Sequence, residues 1–207
     1  IEFYRKAQAV SETENYPAGL SKALRFRGNS HWYQGNYQKA FRFQKQALEI
    51  AESTKNKQHQ AFIYNTLGLI YWTLNDSTRA LSNLERSLNL AKELNSLIDI
   101  ATAYNNIGLV HRKDERYEHS IKFFNEALNR DLLLKSKWGQ GYTHRNIGMS
   151  YLRMGRLDEA ETHIKQAVAL SLEIGNKTNL VKAMLELGNL ALERKNWKRK
   201  NPNVHVL

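Results

Sequence analysis

Along nearly the whole chain apolar residues recur at intervals of three and four, the period of a helix laid against a core rather than that of a half-buried strand. That pattern is itself periodic. Gly28, Gly68, Gly108, Gly148 and Gly188 stand 40 residues apart, and the text around the last four recurs as NTLGLIYWTL, NNIGLVHRKD, RNIGMSYLRM and LELGNLALER. Twelve residues after each of the first four glycines comes a small side chain: Ala40, Ala80, Ser120 and Ala160. A fixed period of this length marks a repeat array, in which each unit buries its apolar face against its neighbours.

Each block has room for two helices. The first of each pair is predicted near 18 to 34, 58 to 74, 98 to 114, 138 to 154 and 178 to 194, and the second near 37 to 54, 77 to 94, 117 to 134 and 157 to 174. Turn signals separate them at Gln34-Gly35-Asn36, Leu74-Asn75-Asp76, Met154-Gly155-Arg156 and Gly175-Asn176. A glycine inside a helix costs about 1 kcal/mol relative to alanine, so glycines in register call for a compensating contact. Helices of one pair approach closely only where side chains are minimal, which places Gly68 against Ala80. Gly148→Leu is therefore expected to overpack the array.

These residues resemble the tetratricopeptide repeat family. With the repeated glycine counted as position eight, the likeness rests on Leu67, Ile107 and Ile147 at seven, Tyr71 and Tyr151 at eleven, and Gly35 and Gly155 at fifteen. It continues with Tyr37 and Tyr117 at seventeen, Ala40, Ala80 and Ala160 at twenty, and Ala47, Ala127 and Ala167 at twenty-seven. The 40-residue spacing is similar to that of Pins-type adaptors, kinesin light chains and bacterial Rap-like regulators. Longer second helices are expected to absorb the residues beyond the commoner repeat of about 34.

The resemblance implies an all-α, right-handed superhelix (a solenoid) of antiparallel helix pairs, about ten helices in one domain. Its expected parts are a half repeat at 1–17, full repeats at 18–57, 58–97, 98–137 and 138–177, and a partial repeat with a basic tail at 178–207. Arg27 at position seven and Ser120 at position twenty depart from the pattern. Lys200 stands where the small residue belongs, and Asn201-Pro202 follows. The second helix of that block is expected to be missing and the chain to be a fragment of a longer protein.

Positions two, five, six, nine, twelve and thirteen share one face of the first helix, and the resemblance implies that this face lines a concave, ligand-binding groove. The candidate residues are Lys22, Arg25, Asn29, Trp32, Asn65, Trp72, Asn105, Asn106, Arg112, Tyr142, Arg145, Asn146 and Arg153. With Lys113 and Lys182 the face carries seven basic residues against two acidic ones, Glu186 and Glu193, so the groove is expected to be electropositive. Asparagine amides at successive steps can hydrogen-bond an extended peptide while arginines take its carboxylates; the resemblance implies that role for Asn106 and Asn146. Mid-helix asparagines also serve to bond a neighbouring helix, and both readings stand at this point.

The 31 Lys and Arg against 20 Asp and Glu give a formal net charge of +11, which favours an acidic protein or peptide as partner and keeps nucleic acid as the alternative. Phe3 and Tyr4 at one end and Leu187 and Leu190 at the other suggest end-to-end self-association. Absence of cysteine removes disulfides and thiolate chemistry. The seven histidines lack tight ligand spacing, and His31 and His111 share a repeat position with Tyr71 and Tyr151, which points to packing.

No glycine-rich phosphate loop and no nucleophile, base and oxyanion set is present, so no cofactor, no metal and no enzymatic activity are expected. No apolar run approaches the roughly 18 residues that read as a membrane span; no membrane insertion is expected, and the location expected is the cytoplasm. The cluster KNWKRK at 195–200 reads either as a phosphate clamp with a stacking ring or as a solvated end. The function expected is a protein-protein interaction scaffold, the sensing or docking module of a larger signalling or regulatory protein. The alternative is a nucleic-acid-binding or effector-sensing module of a transcription regulator.

Overall fold

In a computed structural model, residues 1 to 200 are described, apart from the side chains of residues 197, 198 and 200. Among the described residues the fold is all helix: α1 (Glu2–Thr13), α2 (Pro17–Tyr33), α3 (Tyr37–Ser53), α4 (Lys57–Thr73), α5 (Ser77–Glu93), α6 (Leu97–Lys113), α7 (Tyr117–Leu133), α8 (Lys137–Arg153), α9 (Leu157–Glu173) and α10 (Lys177–Lys200). The predicted starts and ends of the earlier helices fall within a residue of these. The expected break at Asn201-Pro202 and the missing second helix lie outside the described residues, as do the side chains of Trp197, Lys198 and Lys200 in the basic cluster.

One expectation is corrected. First and second helices are the same length, 17 residues each from α2 to α9. The cause lies in the backbone: Asn15, Gly35, Lys55, Asn75, Asn95, Glu115, Lys135, Gly155 and Gly175 all have positive φ, one every twenty residues. A left-handed residue just past a helix end turns the chain so that the next N–H groups reach back to the helix's open carbonyls. Thus the Asn36 N–H donates to the His31 carbonyl at 2.8 Å and the Gly35 N–H to that of Trp32 at 2.9 Å. The same reach recurs from Asn56 to Ala51, Asp76 to Tyr71, Ser136 to Asp131 and Asn176 to Ser171.

Some helix starts are capped by side chains. Asn56, Asp76, Ser136 and Asn176 each accept from the N–H three residues on, at 2.9 to 3.1 Å, a cap worth about 1 kcal/mol. Pro17 opens α2, where its missing N–H costs nothing.

The chain divides into two compact units, residues 1–110 and 111–207. In the first, α1 to α5 pack consecutively and α2 also meets α4. Its core gathers Leu24, Ala47, Leu48, Ala51, Ile63, Tyr64 and Leu67, with Phe41, Phe43 and Leu90 packed against them. In the second, α7 to α10 pack consecutively and α8 also meets α10, around Ala160, Ile164, Ala167, Ala183 and Leu190. Leu190 is thus buried against its own unit rather than left at an open end. Phe3 is exposed, and Tyr4 stacks on Phe26 at 5.2 Å.

The repeated glycine sits where two helices touch. A Cβ on Gly68 would lie 2.6 Å from Leu84 Cγ and 3.2 Å from the Ala80 carbonyl oxygen; on Gly148 it would lie 2.6 Å from Ile164 Cγ1 and 3.1 Å from the Ala160 oxygen. Leu84 and Ile164 are fully buried, each contributing about 1.5–3 kcal/mol by leaving water. The first repeat solves the same contact differently. Fully buried Gln44 lies against Gly28, and its Nε2 donates to the Arg25 carbonyl at 3.1 Å and to Asn29 Oδ1 at 2.7 Å.

Candidate ligand-binding face

In the first unit, α2 and α4 carry most of the candidates. Lys22 is exposed; Arg25, Asn29, Trp32, Asn65 and Trp72 are half-buried; Asn105 and Asn106 are buried. The Arg25 guanidinium stands 4.3 Å from the centre of the Phe26 ring and 5.0 Å from that of Phe62, a cation held against aromatic faces. Burial holds its pKa below the ordinary value, with Tyr4 opposing, and its Nε is buried with no protein partner. Burial, then Arg25 and Lys22, likewise push the His59 pKa down. The neighbourhood is cationic and aromatic.

Several neutral polar side chains of this unit are bonded to one another. Asn29 accepts from Gln44, Trp32 Nε1 donates to Thr73 Oγ1 at 3.3 Å, and Asn106 Nδ2 donates to Asn65 Oδ1 at 2.8 Å. The last bond ties α6 to α4.

In the second unit the face is built by the end of α6, by α8 and by α10. Arg112 Nη1 donates to the Asn146 carbonyl at 3.3 Å and to Asn146 Oδ1 at 3.2 Å, with Met149 Sδ at 3.8 Å and the Phe124 ring 5.6 Å away. Burial pulls its pKa down to about 10, with Tyr142 and Glu186 opposing and Arg145 and Arg153 adding, and among the described residues no carboxylate lies within ion-pair distance of it. Asn146 is 1% exposed, and its Nδ2 has no protein partner.

Arg145 lies 5.4 Å from the Tyr142 ring, which stacks in parallel on Trp138 at 5.8 Å. Exposed Arg153 lines an open cleft of about 520 Å³ with Met149, Leu152, Glu186, Asn189, Leu192 and Glu193. The face that counts as basic in sequence therefore turns mixed in charge at α10.

A family model for the tetratricopeptide repeat matches residues 19–93 and 140–199, and a second matches residues 101–132. The chain belongs to the tetratricopeptide repeat family. No curated protein matches it significantly.

Among solved structures these tetratricopeptide repeats are similar to BtubC from P. vanneervenii, at 16% identity and TM-score 0.78, over 99% of this chain and 90% of that one. They are similar to a Rap protein complexed with Competence and Sporulation Factor, at 17% identity and TM-score 0.74, over 88% of this chain and 50% of that one. A third likeness is to a signal transduction ATPase with numerous domains and a tetratricopeptide repeat sensor, from Pyrococcus horikoshii: 16% identity, TM-score 0.75, 93% of this chain and 32% of that one. The chain thus spans half or less of the last two. At such identities the likeness is one of fold.

Within the tetratricopeptide repeats, the structure groups the candidates of each unit on adjacent first helices. Phe26, Phe62 and Met149 join them; their signal was the repeat register itself, at positions six, two and nine. Thr73, at position thirteen, carries the same signal, whereas its counterpart as a partner, Gln44, carries none. Gln44 occupies a position that is apolar in the other repeats (Leu84, Phe124, Ile164), so its bond to Asn29 emerges only from the packed pair. Among the described residues no group of three or more His, Asp or Glu side chains is placed to hold a metal ion, and no helix is long and apolar enough to cross a membrane.

Proposed function

We propose that this chain is a protein-protein interaction module, working in the cytoplasm as part of a larger signalling or regulatory protein, that takes an acidic peptide or partner segment on the face of its first helices. The observation that carries the reading is Arg112. A guanidinium drawn out of water, hydrogen-bonded to neutral acceptors and offset only at longer range by Glu186, has no carboxylate in direct contact, and a ligand carboxylate would add a bond worth about 1.5–3 kcal/mol.

The open cleft beside Arg153, the unpartnered Asn146 amide and the aromatic surface at Tyr142 supply hydrogen bonding and apolar anchoring around that charge. The Rap structure crystallised with Competence and Sporulation Factor adds support, as a structurally similar array that holds a ligand. The exposed Phe3 and the outward Val181, Met184, Leu185 and Leu192 of α10 extend the proposal to self-association, which sedimentation velocity over a wide concentration range checks.

The test is a titration with acidic peptides and with single-stranded RNA across ionic strengths, on the native chain and on Arg112→Gln. Peptide binding near physiological salt that drops by about tenfold or more in Arg112→Gln is the expected result. Tight RNA binding with a steep salt slope, and no peptide retained, would move the reading to the nucleic-acid alternative.

A further inference from the structure

His144 on α8 and His163 on α9 face each other with their Nδ1 atoms 3.0 Å apart, the rings 5.2 Å between centroids and inclined at 39°. Tyr151 lies against the far ring at 5.6 Å. The repeat supplies its own control, because the same two positions hold Leu24 with Phe43, Tyr64 with Asn83, and Tyr104 with Phe123. The fold therefore asks for bulk at this contact and not for imidazole. In one repeat, and at both facing positions together, it receives two metal-ligating side chains.

We propose that His144 and His163 form a two-imidazole site for a divalent first-row transition ion, copper or nickel in preference to zinc, with its remaining coordination positions open. An ion about 2.0–2.1 Å from each nitrogen would subtend an angle of about 95° across the 3.0 Å separation. That is near the cis angle of square-planar or octahedral coordination and narrow for a tetrahedron, and copper and nickel also bind nitrogen sites more tightly than the earlier divalent ions.

In the metal-free pair one Nδ1–H must donate to the other Nδ1. Moving that proton to the same ring's Nε2, a change of tautomer only, frees both Nδ1 lone pairs, and an ion about 2.0–2.1 Å from each nitrogen would sit about 1.4 Å to the side of the line joining them. Burial lowers both pKa values, that of His144 to about 4, so near neutral pH neither ring carries an extra proton to be displaced. Both rings are half-buried, which leaves a path for entry.

The test is titration of the chain with Cu²⁺, Ni²⁺ and Zn²⁺ by calorimetry, with electron paramagnetic resonance of the copper form. The variants are His163→Phe and His144→Tyr, which install residues that other repeats carry at the same positions. Exposed His119→Gln is the control. One copper per chain with the hyperfine signature of two nitrogens is expected, weakened about tenfold or more in each pair variant and unchanged in the control. Ni²⁺ should raise the melting temperature of the native chain and not of the pair variants. A native copper spectrum without two nitrogens overturns the proposal whether or not the variants fold. So do equal copper affinities in native and pair variants, which would leave the two rings as a hydrogen-bonded packing contact.

Discussion

At repeat position six, Asn106 in the first unit donates to Asn65 at 2.8 Å, while Asn146 in the second accepts from Arg112 at 3.2 Å and keeps an amide nitrogen without a partner. The residue and its register are the same. What differs is the neighbour: another amide offers an acceptor, whereas a guanidinium offers only donors. An Asn–Asn pair satisfies itself and fixes two helices; an Arg–Asn pair uses up the oxygen and leaves both a charge and an N–H for something else. Burial of the unpaired groups makes that remainder costly to leave alone.

The units share a packing plan at the repeated glycine, and the largest expected effect tests that equivalence. Gly68→Leu and Gly148→Leu should each destabilise by about 3 kcal/mol or more, because the first added carbon already lies 2.6 Å from a buried leucine or isoleucine. Gly188→Leu should be nearly silent, having no atom within 4 Å of the added carbon. Denaturant melts showing one of the first two variants tolerated would break the equivalence.

A smaller effect follows from two histidines at the same repeat position. His31 stacks on Phe43 at 5.4 Å and His111 on Phe123 at 5.1 Å, each with a buried Nδ1 lacking a protein partner. Burial lowers the His31 pKa, with Lys39, Arg27, Arg5 and the chain N-terminus adding to it. Burial also takes His111 to about 4, aided by Arg116 and His119 and opposed by Asp114. The unfolded chain protonates these rings below their ordinary value and the folded chain does not. Their stability contribution is therefore complete above about pH 6.5 and is lost as pH falls towards 4. His111→Tyr, the residue found at Tyr71 and Tyr151, should remove on the order of 2 kcal/mol of that acid sensitivity, read as the difference between native and variant melts across pH.

The face itself supplies the next pair. Asn106→Ala should cost about 1 kcal/mol by orphaning Asn65, and Asn146→Ala less. Ligand binding should respond in the opposite order, with the second variant weakened more. If both lose stability equally and binding is indifferent to both, the two asparagines are alike and the contrast between the units falls.

The mildest changes concern the turns. Lys55→Gly in the first unit and Lys135→Gly in the second should each raise stability by about 0.5–1 kcal/mol, since a left-handed lysine carries a steric penalty that glycine lacks. Asn75→Gly should gain less, because asparagine tolerates that conformation.

The glycine and alanine contacts were legible in sequence because close helix approach leaves no choice of residue, and so were the helix positions, to within a residue. The equal helix lengths were not. The left-handed positions hold Asn, Gly, Lys or Glu, so their common backbone has no common side chain. The Asn65–Asn106 bond joins residues 41 apart, and the His144–His163 contact joins residues 19 apart across a packed pair. Periodicity assigns a face to each of these residues and says nothing of which partner on the neighbouring helix it meets.

The left-handed residue every twenty positions also acts as a ruler. Because each helix and its turn consume the same length of chain, every helix pair stores 40 residues, which drawn out to about 3.3–3.6 Å per residue amount to roughly 130–145 Å of contour. Under tension such pairs would pay out in equal steps, and a chain built this way would give way by fixed increments.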